Sequence, residues 1–106
     1  MKPVIFGPAR PLLTPDQPAF FAAADPLGYI LFGRNCVDRA QMRALTDSLR
    51  ELSGREDVPI LIDQEGGRVA RMRPPQWPEF PAGPAFDKLY ELAPSSAIAA
   101  ACANAH

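Results

Sequence analysis

The sequence predicts an α/β fold with a parallel sheet, the first three strands and helices of a (β/α)8 barrel. Three observations point there. Short apolar segments at Val4–Phe6, Gly28–Phe32 and Val58–Ile62 recur at the roughly 30-residue period of a βαβ unit. The third segment is a continuous apolar run, as expected of a strand covered on both faces. That run stops abruptly at Asp63-Gln64-Glu65-Gly66-Gly67-Arg68. In parallel barrels the loops at the strands' C-terminal ends carry ligand chemistry, which places Asp63 on the functional rim.

The elements follow in order. After the first strand, Thr14-Pro15-Asp16-Gln17 resembles a capping box with proline at the first helical position, although Pro18 removes another amide. The alanine-rich stretch from Ala19 to Ala24 should end before Asp25-Pro26, because proline disfavours helix in the preceding residue. The second helix is written more fully. Asp38 caps it, Gln41 lies three residues on, and Val37 can pack on Met42 as a hydrophobic staple. Met42, Leu45, Leu49 and Leu52 form an apolar stripe that should cover one face of the sheet, and Gly54 is the expected stop. Beyond Arg71 comes a proline-rich loop, then a short helical piece around Phe86–Leu92. Pro94-Ser95 should open another helix through Ile98, Ala101 and Cys102.

That last pattern reaches Ala105-His106 without a glycine or proline to end it. Three parallel strands would also leave an open edge and bare apolar helix faces. A full barrel needs about 250 residues, so residues 1–106 are expected to be the amino-terminal part of one barrel domain, cut within a helix.

Composition narrows the function. Eleven basic and twelve acidic residues leave a net charge of -1, without the basic block that nucleic-acid binding needs. A small neutral substrate suits this balance. No apolar stretch approaches the roughly 18 residues of a membrane helix, and Met1–Pro8 is too short in apolar residues for a signal peptide, so a cytoplasmic location is expected. Cys36 and Cys102 fit neither a metal spacing nor a disulfide framework and are expected to be reduced, buried thiols. Thirteen prolines fall mostly at element edges or between Pro74 and Pro84, where they punctuate the chain.

The residues that carry chemistry also carry a resemblance. Gly28-Tyr29-Ile30-Leu31-Phe32-Gly33-Arg34-Asn35, followed by Gln41, Leu45 and Leu49, resembles the second-strand motif of glycoside hydrolase family 3. Ile62-Asp63-Gln64-Glu65-Gly66-Gly67-Arg68-Val69 with Arg71 is similar to that family's best-known motif, and Phe80-Pro81 fits the loop that follows. Within the family, the chain looks like the bacterial β-N-acetylhexosaminidases of peptidoglycan recycling, from about Val4 to its end. The resemblance implies a barrel and hydrolysis of terminal, non-reducing β-linked N-acetylglucosamine from muropeptides. It further implies a two-step retaining mechanism without metal or organic cofactor, in a protein that acts as a monomer. By the same resemblance Asp63 binds sugar hydroxyls and Arg71 helps hold the sugar. The family's aspartate nucleophile and histidine acid/base lie further along the barrel than this sequence reaches, so no catalytic residue is assigned here. His106 has no role.

The same residues admit other readings. Asp63 and Glu65 could be an acid and nucleophile pair, since retaining glycosidases place two carboxyls about 5 to 5.5 Å apart. Arg68 and Arg71 nearby favour charged carboxylates, which suits binding better than general acid work. Glu65 and Arg68 are expected to pair and fasten the loop without touching sugar. Gly66 and Gly67 are expected to serve conformation, with phosphate binding by these glycines, Arg68 and Arg71 as the alternative. Arg34 and Asn35 end the second strand on the same rim, where Asn35 is expected to cap the loop backbone. Trp77 and Phe80 are expected to pin their loop. A β-glucosidase of the same family, and a non-catalytic remnant that folds only against a partner, complete the alternatives.

Overall fold

A computed structural model describes residues 1–106. The chain divides into two compact units, Met1–Asp63 and Gln64–His106.

The first unit contains β1 (Lys2–Phe6), α1 (Gln17–Ala24), β2 (Pro26–Leu31), a 3-10 turn (Gly33–Asn35), α2 (Arg39–Ser53) and β3 (Ile60–Ile62). The strands lie in the order β1-β2-β3, and both pairings are parallel: Phe6 opposes Tyr29, and Tyr29 to Leu31 oppose Ile60 to Ile62. The predicted parallel α/β sheet is therefore present. β1 and β2 begin two residues earlier than their apolar segments. β3 begins two residues later than expected, because Pro59 has no amide to enter the ladder; its carbonyl instead accepts the Tyr29 N–H at 2.9 Å.

Side-chain alternation along the strands builds the core. Tyr29 and Leu31 are buried, as are Phe21 of α1, Leu45 and Leu49 of α2, and Val58. Ile60 and Ile62 pack against this cluster, whereas Leu61 between them is exposed. Phe21 meets the Tyr29 ring edge-on, with centroids 5.4 Å apart, a favoured aromatic geometry. Met42 and Leu52 flank Leu45 and Leu49 as the helical spacing predicts.

Capping sets the ends of the helices. The Asp38 carboxylate accepts the Gln41 N–H at 2.7 Å, and Gly54 closes α2 at φ 67° with its N–H on the Arg50 and Glu51 carbonyls. α1 starts at Gln17 rather than at Thr14. Asp16 occupies the cap position, and Thr14 donates its N–H to the Gln17 amide oxygen at 3.0 Å. Pro18 then falls in the first turn, where no intrahelical partner exists for an N–H, so it does not weaken the start.

The second unit holds an antiparallel ribbon of β4 (Gln64–Gly66) and β5 (Val69–Ala70), followed by α3 (Gly83–Leu92) and α4 (Pro94–Ala105). The two helices match the predicted pieces. The ribbon was not expected, since strands of three and two residues carry no readable periodicity. Proline stands in the first turn of each helix, and the Ala93 N–H closes α3 on the Leu89 carbonyl at 2.7 Å. The expectation of two buried thiols fails: neither cysteine is in a disulfide, but Cys36 is half-buried and Cys102 is exposed on α4. That helix is rich in alanine and has no marked apolar face, so its pattern could not say which way the thiol points.

Candidate functional site

Three parallel strands deliver three loops to one edge of the sheet. Gly7-Pro8 follows β1, Phe32–Asn35 follows β2, and Asp63 follows β3. The side chains of the second loop hold the first. Asn35 is fully buried: its Oδ1 accepts the Phe32 N–H at 2.9 Å, and its Nδ2 donates to the Pro8 and Arg10 carbonyls, each at 2.9 Å. Arg34 donates from Nε to the same Pro8 carbonyl at 3.0 Å, and its guanidinium lies 4.7 Å from the centre of the Phe32 ring, a cation–π contact. Gln41 joins from α2, with its Nε2 on the Pro11 and Asn35 carbonyls and its Oε1 accepting the Val37 N–H. Asn35 therefore caps loop backbone, as its residue type predicts. The wider strap, from three side chains to four carbonyls, three of them 25 to 30 residues away in sequence, carried no local signal.

Gly7 is part of this fit. A Cβ there would lie 3.1 Å from both the Arg34 guanidinium and the Phe32 ring. Asp63 sits one residue past β3 and is exposed, so its carboxylate is presented at the sheet edge.

In the second unit, the fastening residue is Gln64. Its amide oxygen accepts the Arg71 N–H at 2.9 Å and the Met72 N–H at 3.0 Å, while its Nε2 donates to the Met72 carbonyl at 3.0 Å. One neutral side chain thus fixes the backbone that bears Arg71, which is half-buried. The expected Glu65–Arg68 pair is not formed. Both residues are exposed and neither joins an ion pair. Alternation along β4 explains this: Gln64 and Gly66 face inward and Glu65 faces solvent.

Gly66 and Gly67 turn the ribbon at φ 91° and 60°, a region that favours glycine. Close approach gives a second reason for them. A Cβ on Gly66 would collide with the Pro81 carbonyl oxygen, and one on Gly67 would lie 2.8 Å from the Ala82 Cβ. The Gly67 N–H is already donated to the Phe80 carbonyl at 2.8 Å, which removes it from the phosphate alternative. The same bond shows how the Phe80 segment is pinned, through its backbone; the Phe80 ring is 40% exposed.

A cavity of about 200 Å³ lies between this ribbon and the following loop, with Arg68, Met72, Arg73, Glu79 and Phe80 among its walls. Asp63 and Arg71 do not line it.

Comparison with known proteins connects both units to one group. No family profile matches the chain. A β-hexosaminidase of Bordetella pertussis is 36% identical over 98 residues, which is 91% of this chain and 27% of that protein. A β-hexosaminidase of Pasteurella multocida is 52% identical over 66 residues, 60% of this chain and 18% of that protein. Among solved structures, NagZ from Neisseria gonorrhoeae in complex with N-trifluoroacetyl-D-glucosamine superposes with a TM-score of 0.78 at 29% identity, covering 90% of this chain and 28% of NagZ. In sequence and in fold the chain is similar to these β-hexosaminidases, over a stretch about a quarter of the length of the Bordetella protein and of NagZ.

Proposed function

We propose that this chain is a segment of a family 3 glycoside hydrolase barrel and supplies part of the sugar-binding subsite of a β-N-acetylhexosaminidase. The reaction is hydrolysis of terminal, non-reducing β-linked N-acetylglucosamine from peptidoglycan-derived muropeptides in the cytoplasm. On this reading Asp63 accepts hydrogen bonds from sugar hydroxyls and Arg71 holds the sugar. The nucleophile and the acid/base come from barrel sequence outside these 106 residues, and the whole protein works as a monomer without metal or organic cofactor. One observation carries the proposal: an exposed carboxylate follows directly on strand β3, at the C-terminal edge of the parallel sheet where barrels place ligand chemistry. The N-acetylglucosamine analogue bound in the NagZ structure supports the substrate class.

A chimera tests it. These 106 residues replace the matching segment of Neisseria gonorrhoeae NagZ, and hydrolysis of a chromogenic β-N-acetylglucosaminide is followed. The chimera should turn over the N-acetylglucosaminide in preference to the glucoside. A hydrogen bond to a charged group contributes roughly 1.5–3 kcal/mol, so Asp63→Ala should lower kcat/KM by about 10- to 150-fold per bond lost. Arg71→Ala should act in the same direction. Unchanged kcat/KM in a folded Asp63→Ala chimera refutes the role of Asp63. Turnover by the 106-residue chain alone refutes the assignment of the chemistry to other sequence.

A further inference from the structure

The cavity of the second unit has a chemistry that sugar binding at Asp63 and Arg71 does not use. Its volume, about 200 Å³, is below the roughly 300–1,000 Å³ typical of drug-sized ligands, which restricts it to a small molecule. Two arginines and one glutamate, Arg68, Arg73 and Glu79, are among the residues that line it. None of the three joins an ion pair. Arg73 donates only its Nε, to the Ala70 carbonyl at 2.8 Å, so both of its terminal nitrogens remain on offer. The one neutral amide in the wall, Gln64, has its oxygen and nitrogen committed to Arg71 and Met72. Met72 and Phe80 supply apolar wall.

Two arginines on one small concavity bring two positive charges to it, and Glu79 offsets a single one. An oxyanion relieves the remainder, and the planar fork of arginine matches carboxylate or phosphate oxygens bidentately. The apolar wall suits a carbon body attached to that group.

We propose that this cavity binds a small organic acid, with Arg68 and Arg73 as the two donors to its carboxylate or phosphate-ester oxygens. Neither Asp63 nor Arg71 belongs to the cavity, so the proposal stands apart from the saccharide reading.

The test titrates the ¹⁵N-labelled chain with glucuronate, glucose 6-phosphate and glucose, which set a carboxylate, a phosphate ester or no charge on one ring. Saturable shifts confined to the residues around Gly67, Arg68 and Arg73 are expected with at least one acid and not with glucose; the acid that binds more tightly identifies the oxyanion. Arg68→Ala and Arg73→Ala should each weaken binding at least tenfold. Arg68→Lys, which keeps the charge and loses the fork, should weaken it too, whereas Arg43→Ala on α2 should leave it unchanged. Three results overturn the proposal: glucose binding as tightly as the acids, Arg43→Ala weakening as much as Arg68→Ala, or no saturable shift with either acid in a chain whose spectrum is dispersed.

Discussion

Replacing Asn35 by alanine tests the physical account of the rim most directly. The side chain is fully buried and makes three hydrogen bonds of 2.9 Å. Truncation orphans the Phe32 N–H and the Arg10 carbonyl. It does not orphan the Pro8 carbonyl, which keeps its bond from Arg34. Each buried group left unsatisfied costs about 1–3 kcal/mol, and both orphans are only partly buried, so Asn35→Ala should lose roughly 2–4 kcal/mol. Total stabilities of about 5–15 kcal/mol make that a large fraction. With a urea m-value of about 1–3 kcal/mol per molar, the unfolding midpoint should fall by roughly 1–3 M at an unchanged slope. Arg34→Ala supplies the contrast. It removes one bond from a carbonyl that Asn35 still satisfies, together with the cation–π contact to Phe32, so its loss should be about 1 kcal/mol. Equilibrium urea unfolding followed by circular dichroism reads both variants, and hydrogen exchange at the Phe32 amide reads the orphan itself. A loss below about 1 kcal/mol for Asn35→Ala, or equal losses for the two variants, refutes the reasoning.

Two further outcomes concern the backbone and pH. Gly54 and Gly66 both have positive φ, but a Cβ at Gly54 meets open space while one at Gly66 strikes the Pro81 carbonyl. Gly54→Ala should therefore cost only the left-handed penalty, about 1–2 kcal/mol. Gly66→Ala adds overpacking of roughly 1–3 kcal/mol; fluorescence of the sole tryptophan, Trp77, which lies in the same unit, should show the larger shift. Acid unfolding should depend on Asp25. The amino-terminal ammonium, 2.9 Å away, hydrogen-bonds the Asp25 carboxylate and attracts it, holding its pKa below the usual 3.8. A lowered folded-state pKa stabilises at pH above 3.8, and the contribution disappears as pH falls through the folded value. Asp25→Asn should flatten that part of the stability curve between pH 4 and lower values, measured by thermal unfolding.

How far the sequence could be read depended on range. In α2 the start, the buried stripe and the stop lie within 17 residues, and Asp38, Leu45, Leu49 and Gly54 are all found in their expected roles. The parallel strands were legible from apolar runs at a fixed period. Where chain segments distant in sequence decide the outcome, reading failed. Nothing near Gln64 indicates that its amide closes on residues seven and eight positions on. Charge spacing suggested instead that Glu65 and Arg68 pair, because the short β4 strand that turns Glu65 outward was not foreseen. The rim strap was partly legible: an asparagine after a strand announces a cap, but not that the capped loop belongs to the preceding strand.

The arrangement of β1 bears on how the chain behaves at high concentration. Outermost in the three-stranded sheet of these 106 residues, this strand exposes Val4 and Ile5 to solvent, an invitation to strand-by-strand stacking between molecules wherever no further barrel strand pairs with it. Its opening residues argue the other way. Lys2 brings charge, and Pro3 contributes no donor to a neighbouring strand. Growth of fibrils from this margin is thus blunted by two gatekeepers at its start, and replacing them with valine would turn a tolerated border into a seed for precipitation.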